Sequence, residues 1–124
     1  MGQLTLERYY ERLDAGDLGS ALALMAPEVA FVIAIPGAVR RGTDRSGIAA
    51  YLGARGDVVR RHALLRTSQD EDVEFVYGAV VDDGVRVTGH FLAVAQVSPD
   101  GTILAYHVTF EPEPILLPSV EVLQ

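Results

Sequence analysis

Two adjacent tyrosines, Tyr9 and Tyr10, and three histidines, His62, His90 and His107, are the residues of this chain best suited to moving protons near neutral pH. A histidine serves as a general base without special tuning, because its ordinary pKa is about 6.5. A buried tyrosine hydroxyl donates a hydrogen bond and so stabilises charge on a substrate oxygen. The sequence has no cysteine, which removes thiolate nucleophiles, disulfides and thiolate metal sites. The histidines show no HxH or HxxxH spacing, so no metal is expected. The chemistry these residues offer is cofactor-independent proton transfer: Tyr9 as donor, with His62 or His90 as base. The competing reading is that each residue is structural, since a lone Tyr or His on an apolar face usually fills core.

Positioning such residues takes a folded core, and a hydrophobic content of 49% over 124 residues supplies one. A single domain is expected over residues 1–124, with 112–124 a proline-rich C-terminal arm that either packs on a neighbour or hangs loose. A net charge of −7 disfavours nucleic acid as a partner. The longest apolar run, Val29 to Ile35, is too short to cross a bilayer. The start, MGQLTLER, lacks a basic stretch followed by an apolar one, so no secretory leader is expected and cytoplasm is the default location. Seven of the ten arginines lie between Arg40 and Arg66, a solvated basic face facing the acids of QDEDVE.

Leu6, Tyr9, Tyr10 and Leu13 fall at i, i+3, i+4 and i+7, one face of a helix. Gly16 stops it and Asp17 caps a second helix carrying Leu18, Ala21, Leu22 and Met25, which Pro27 ends. Glu28 to Ile35 reads as a strand closed by Pro36-Gly37. Thr43 or Asp44 caps a third helix with Ile48, Tyr51 and Leu52 inward. Strands follow at roughly 58–67, 73–81, 85–98 and 102–111. VDDGV and SPDGT are antiparallel hairpin turns, each read as a type I turn followed by a left-handed glycine. The fold class is α+β, about three helices packed on a curved, mainly antiparallel sheet.

With three-residue loops, Val81 pairs with Val85 and Ser98 with Thr102. Even-numbered residues of all three strands then share a face, including Val80, Thr88, His90, Leu92, Tyr106, Val108 and Phe110. The odd face carries Tyr77, Phe91, Ala93 and His107. Both faces are apolar, whereas a half-wet antiparallel sheet alternates. Helices cover one face only, so a second copy of the chain is expected on the other, as a homodimer.

In the order RYYERLDAGDLGSALALMAPEVAF, Pro36-Gly37, Arg41-Gly42, Arg61-His62 and SPDGTILAYHVTFEPE, the chain resembles the NTF2-like superfamily over about residues 3 to 113, and its SnoaL-like, ketosteroid-isomerase-like branch in particular. The resemblance implies a cone-shaped fold with an apolar cavity opening at one end, commonly dimeric. It places Tyr9 at the isomerases' oxyanion tyrosine, but the family's acids are missing: their base aligns with Ile33, the neutral aspartate of the oxyanion hole falls in GHFLAVA, and the last-strand aspartate of other branches is Val108. Steroid-isomerase chemistry by that route is therefore not expected. His62 stands where dehydratase-like relatives use a histidine. Since Val108 marks the cavity side, the even face becomes the cavity wall. The expected ligand-contacting residues are Phe31, Ile33, Leu92, Tyr106, Val108 and Phe110, around a small apolar carbonyl or hydroxyl compound. Isomerase or dehydratase action and non-catalytic ligand binding both stay open.

Overall fold

The computed structural model describes residues 3–54, 59–84 and 86–117. Helix α1 (Thr5–Asp14) buries Leu6, Tyr9 and Tyr10, the stripe its spacing foretells. Both of its ends are tied down. Glu7 accepts the Leu4 N–H at 2.7 Å, and the buried carboxylate of Glu74, far along the chain, accepts the N–H groups of Thr5 and Leu6 at 3.0 and 2.9 Å. A negative charge there meets the helix's positive end and satisfies amides that have no partner within the helix. At the other end Gly16 turns left-handed (φ 81°), with Gly16 N–H bonded to Leu13 O and Asp17 N–H to Arg12 O. Asp17 then caps α2 (Leu18–Leu22), and Asp44 caps α3 (Arg45–Gly53) by accepting from Gly47 N–H at 2.9 Å.

Among the described residues six strands follow one sheet order, β2-β1-β6-β5-β4-β3: β1 (Met25–Ile35), β2 (Ala38–Gly42), β3 (Arg60–Asp70), β4 (Val73–Asp82), β5 (Arg86–Val97) and β6 (Ile103–Glu111). β1 and β6 pair in parallel, and the other neighbours in this order pair antiparallel. Two expectations need correction. Pro27 does not end α2 but sits inside β1, where the pairing with β6 is irregular between Met25 and Ala30, a place that needs no ladder N–H. And β2 was not foreseen, because its residues Val39, Arg40 and Arg41 are exposed on a sheet edge and carry no apolar alternation.

The larger correction concerns register. Ser98 N–H does bond Thr102 O, and Val97 pairs with Ile103, as the turn sequence implies. One residue further the ladder slips, so that Ala95 faces Tyr106 and Ala93 faces Val108. A second slip at Val80/Val81 sets Gly78 opposite Phe91 and Ala79 opposite His90. At that hairpin Val81 pairs with Val87 rather than with Val85, and Asp82 with Arg86, with Asp83 (φ 55°) and Gly84 (φ 79°) both left-handed; Val85 itself lies outside the described residues, as does Val58. Each one-residue bulge exchanges the faces of the strand beyond it. The helix-covered wall therefore carries even residues of β4 and β6 but odd residues of β5: Val76 and Val80, Phe91, Ala93 and Ala95, Tyr106 and Val108. His90, Leu92 and Thr88 do not belong to that wall. Leu92 is 52% exposed on the outer face.

Candidate functional site

The helix-covered hollow gathers aromatic rings around one histidine. His62, near the start of β3, is buried, and its ring stacks on Tyr10 (4.7 Å between centroids, 29°) and meets Phe91 edge-on (5.2 Å, 84°). Phe91 is held there by Gly78 across the strand: a β-carbon on that glycine would come within 2.7 Å of the Phe91 ring and of Ala63 O. Tyr9 lies edge-on to Tyr10 and to Tyr106, at 5.0 and 5.7 Å. The hydroxyls of Tyr10 and Tyr106 share a hydrogen bond of 2.5 Å.

A carboxylate reaches this nest after all. Asp14, the last residue of α1, holds His62 twice: Oδ1 lies 2.7 Å from the ring Nδ1, and Oδ2 accepts the His62 backbone N–H at 2.7 Å. An ionised carboxylate only accepts hydrogen bonds, so it selects the tautomer with the proton on Nδ1, in which the neutral ring has its lone pair on Nε2. That is the arrangement of a general base oriented by an acid. The sequence reading passed over Asp14, although it lies four residues after Tyr10 and so one turn along the same side of the helix. Tyr10 is in contact with both the histidine and Tyr106.

The tyrosines are donors, not bases. Burial raises the pKa of Tyr10 well above the ordinary phenol value, and neighbouring Tyr9 adds to the rise. Tyr106 is raised by burial first, then by Tyr10 and Tyr9. Both stay protonated at neutral pH.

Of the residues expected at the site, Tyr9, His62, Ile33, Tyr106, Val108 and Phe110 all line one interior space, with Tyr10, Leu13, Tyr51 and Leu52. Phe31 is buried but packs beside Gly42 and Gly47 instead. His90 and Leu92 are not brought to this space. The interior is nearly full, leaving about 10 Å³, at the limit of a single water. Tyr51 and Phe110 also border a roomier cavity of about 260 Å³ at the rim, lined further by Ile35, Val80, Arg60 and Thr88. Arg60 is fixed there by Asp82 (Nε to Oδ1 3.0 Å), whose pKa this hydrogen bond lowers. Arg40 sits 5.9 Å above the Tyr51 ring. His62 and Asp14 also border a groove of about 340 Å³ between α1 and β3, with Glu7, Glu11 and Arg61. Among the described residues no group of His, Asp or Glu is arranged to hold a metal, and no helix is long and apolar enough to cross a membrane.

No protein-family model matches the sequence. No curated protein matches it either. Solved structures do. IdmH of Streptomyces antibioticus, provisionally named a polyketide cyclase, superposes with a TM-score of 0.70 at 20% identity, covering 86% of this chain and 88% of that one. A protein of Agrobacterium tumefaciens, provisionally named an isomerase of the SnoaL-like family, gives 0.66 at 14% identity over 86% and 95%. A provisionally named ketosteroid isomerase of Kribbella flavida gives 0.67 at 17% over 92% and 79%. At these identities the likeness speaks for architecture rather than activity. The chain has the NTF2-like fold, the architecture of SnoaL-like and ketosteroid-isomerase-like proteins.

Proposed function

We propose that this chain is a small-molecule cavity protein that moves a proton on a small, mostly apolar carbonyl or hydroxyl compound, as a cofactor-independent isomerase or lyase. The observation that carries this reading is the clamp of Asp14 on His62 beside the Tyr10–Tyr106 hydroxyl pair. His62 takes the proton at Nε2 and Asp14 steadies the resulting imidazolium. The protonated hydroxyl pair of Tyr10 and Tyr106, with Tyr9 beside it, supplies hydrogen bonding to the substrate oxygen as charge develops on it. Entry is by the rim, with Tyr51 and Phe110 moving aside to enlarge the interior.

The test is hydrogen–deuterium exchange at the α-carbon of an apolar ketone such as 1-tetralone, followed by proton NMR in deuterated buffer. Exchange above the buffer rate, reduced by about 10²-fold in His62→Gln, is the expected result. Failure of the wild type to accelerate exchange on any of a panel of such ketones would remove the enzyme reading. A second reading, non-catalytic binding of a small hydrophobic ligand, is favoured by the rim cavity of about 260 Å³, which holds a ligand without any opening of the interior. It predicts that ketones raise the melting temperature without exchange.

The outer sheet face supports a homodimer. Phe75 and Leu92 are exposed there, and a groove of about 550 Å³ includes Val32, Val94, Ala105 and His107. Light scattering should give the mass of two chains, falling to one in Leu92→Glu.

A further inference from the structure

His90 has no part in the chemistry proposed above, yet it is the most unusual polar residue among those described. It is 4% exposed, and neither ring nitrogen has a hydrogen-bond partner. Leaving a buried polar group unbonded forfeits its hydration with nothing in return, so such groups are rarely retained without a use. Its surroundings are specific. The ring lies parallel to Tyr77 (5.8 Å, 12°), and the Tyr77 hydroxyl accepts Leu116 N–H at 3.1 Å, so the end of the chain crosses in front of this aromatic pair. His90 separates two hollows. On one side is the rim cavity of about 260 Å³ with Ile35, Val80 and Phe110; on the other is an outer pocket of about 240 Å³ between Leu92 and Thr109 and the arm residues Pro114 and Leu116. Glu111, its partner across β6, borders both.

We propose that the rim carries a second ligand site, separate from the Asp14–His62 clamp, in which His90 binds the hydroxyl of a small flat phenol. A neutral imidazole has one donor and one acceptor, and a hydroxyl is complementary to both. Rotation about the Cβ–Cγ bond, a soft torsion for histidine, turns a ring nitrogen toward either hollow. The walls are mainly apolar and aromatic, which suits a flat ring, and Arg60, which also lines the rim cavity, is already paired with Asp82, so a charged ligand gains little compensation. Glu111 at the edge also disfavours an anion, so the neutral phenol is selected over a carboxylate.

The experiment titrates the full-length protein at pH 8 with 2-naphthol and, separately, 2-methoxynaphthalene, which keeps the rings but has no hydroxyl to donate. Long-range proton–nitrogen NMR spectra follow the ring nitrogens of all three histidines. Saturable movement of the His90 signals with 2-naphthol, those of His62 staying still, is expected, with the ether about tenfold weaker. His90→Phe should abolish the binding while keeping the fold. Movement of His62 alone would overturn the rim site and leave the inner site standing. Equal affinity for phenol and ether, or no movement at all, would also overturn it. These outcomes are read on the wild type, so they hold even if His90→Phe fails to fold.

Discussion

The hydrogen bond between the Tyr10 and Tyr106 hydroxyls admits a quantitative test. The residues are 2% and 4% exposed, and each hydroxyl has the other as its partner at 2.5 Å. Replacing one tyrosine with phenylalanine keeps the ring packing but leaves the surviving hydroxyl buried and unbonded. The cost is that of a lost hydrogen bond plus an unsatisfied group, about 1–3 kcal/mol for either Tyr10→Phe or Tyr106→Phe. The double variant leaves neither hydroxyl behind and should cost about 1 kcal/mol or less, so the two changes are non-additive by about 1–5 kcal/mol. In a domain of this size 1 kcal/mol is roughly 3–6 °C in melting temperature. Urea unfolding followed by far-ultraviolet circular dichroism suits the measurement, the midpoint moving at constant slope. A double variant as unstable as the sum of the singles would refute the reasoning, because the hydroxyls would then not be partners.

Other consequences can be checked in the same way. Glu74→Gln removes the charge that holds the Thr5 and Leu6 amides, and should lower stability by about 1–3 kcal/mol in urea unfolding while leaving the sheet intact. Tyr10 and Tyr106 ionise less readily folded than unfolded, so their contribution is complete below pH of about 10. It is lost as pH rises further, each adding a slope of up to about 1.4 kcal/mol per pH unit in alkaline unfolding curves. Asp82 is shifted the opposite way by Arg60. Its contribution is therefore present above the ordinary carboxylate range and fades on acidification, and Asp82→Asn should flatten the acid limb of the stability profile. Asp14→Asn should weaken any ketone exchange less than His62→Gln does, since the amide oxygen still accepts from the ring.

What the sequence disclosed, it disclosed through local chemistry. The Gly16 stop, the Asp17 and Asp44 caps and the SPDGT turn each depend on residues within a few positions, and each is found in place. The faces of β5 were not legible, because GHFLAVA is apolar on both parities and carries no phase. Two single-residue slips, at Val80/Val81 and Gln96/Val97, then decide which side turns inward. That is why Phe91, not His90, meets Tyr10. Asp14 escaped notice for a different reason: its partner lies 48 residues away, and a long-range pair of this kind leaves no local mark.

Asp14 grips His62 by both its ring and its main chain, and the two attachments have different fates under mutation. If the imidazole were lost, the carboxylate would still close the end of α1 onto the first residues of β3 through the backbone amide. If Asp14 were lost, both contacts would go together. Selection for folding alone thus guards the aspartate, and asks of position 62 only a side chain that packs on Tyr10 and Phe91. Descendants that abandon the chemistry should keep an acid at position 14 and replace His62 by another ring or apolar side chain, whereas descendants that keep it should vary at neither.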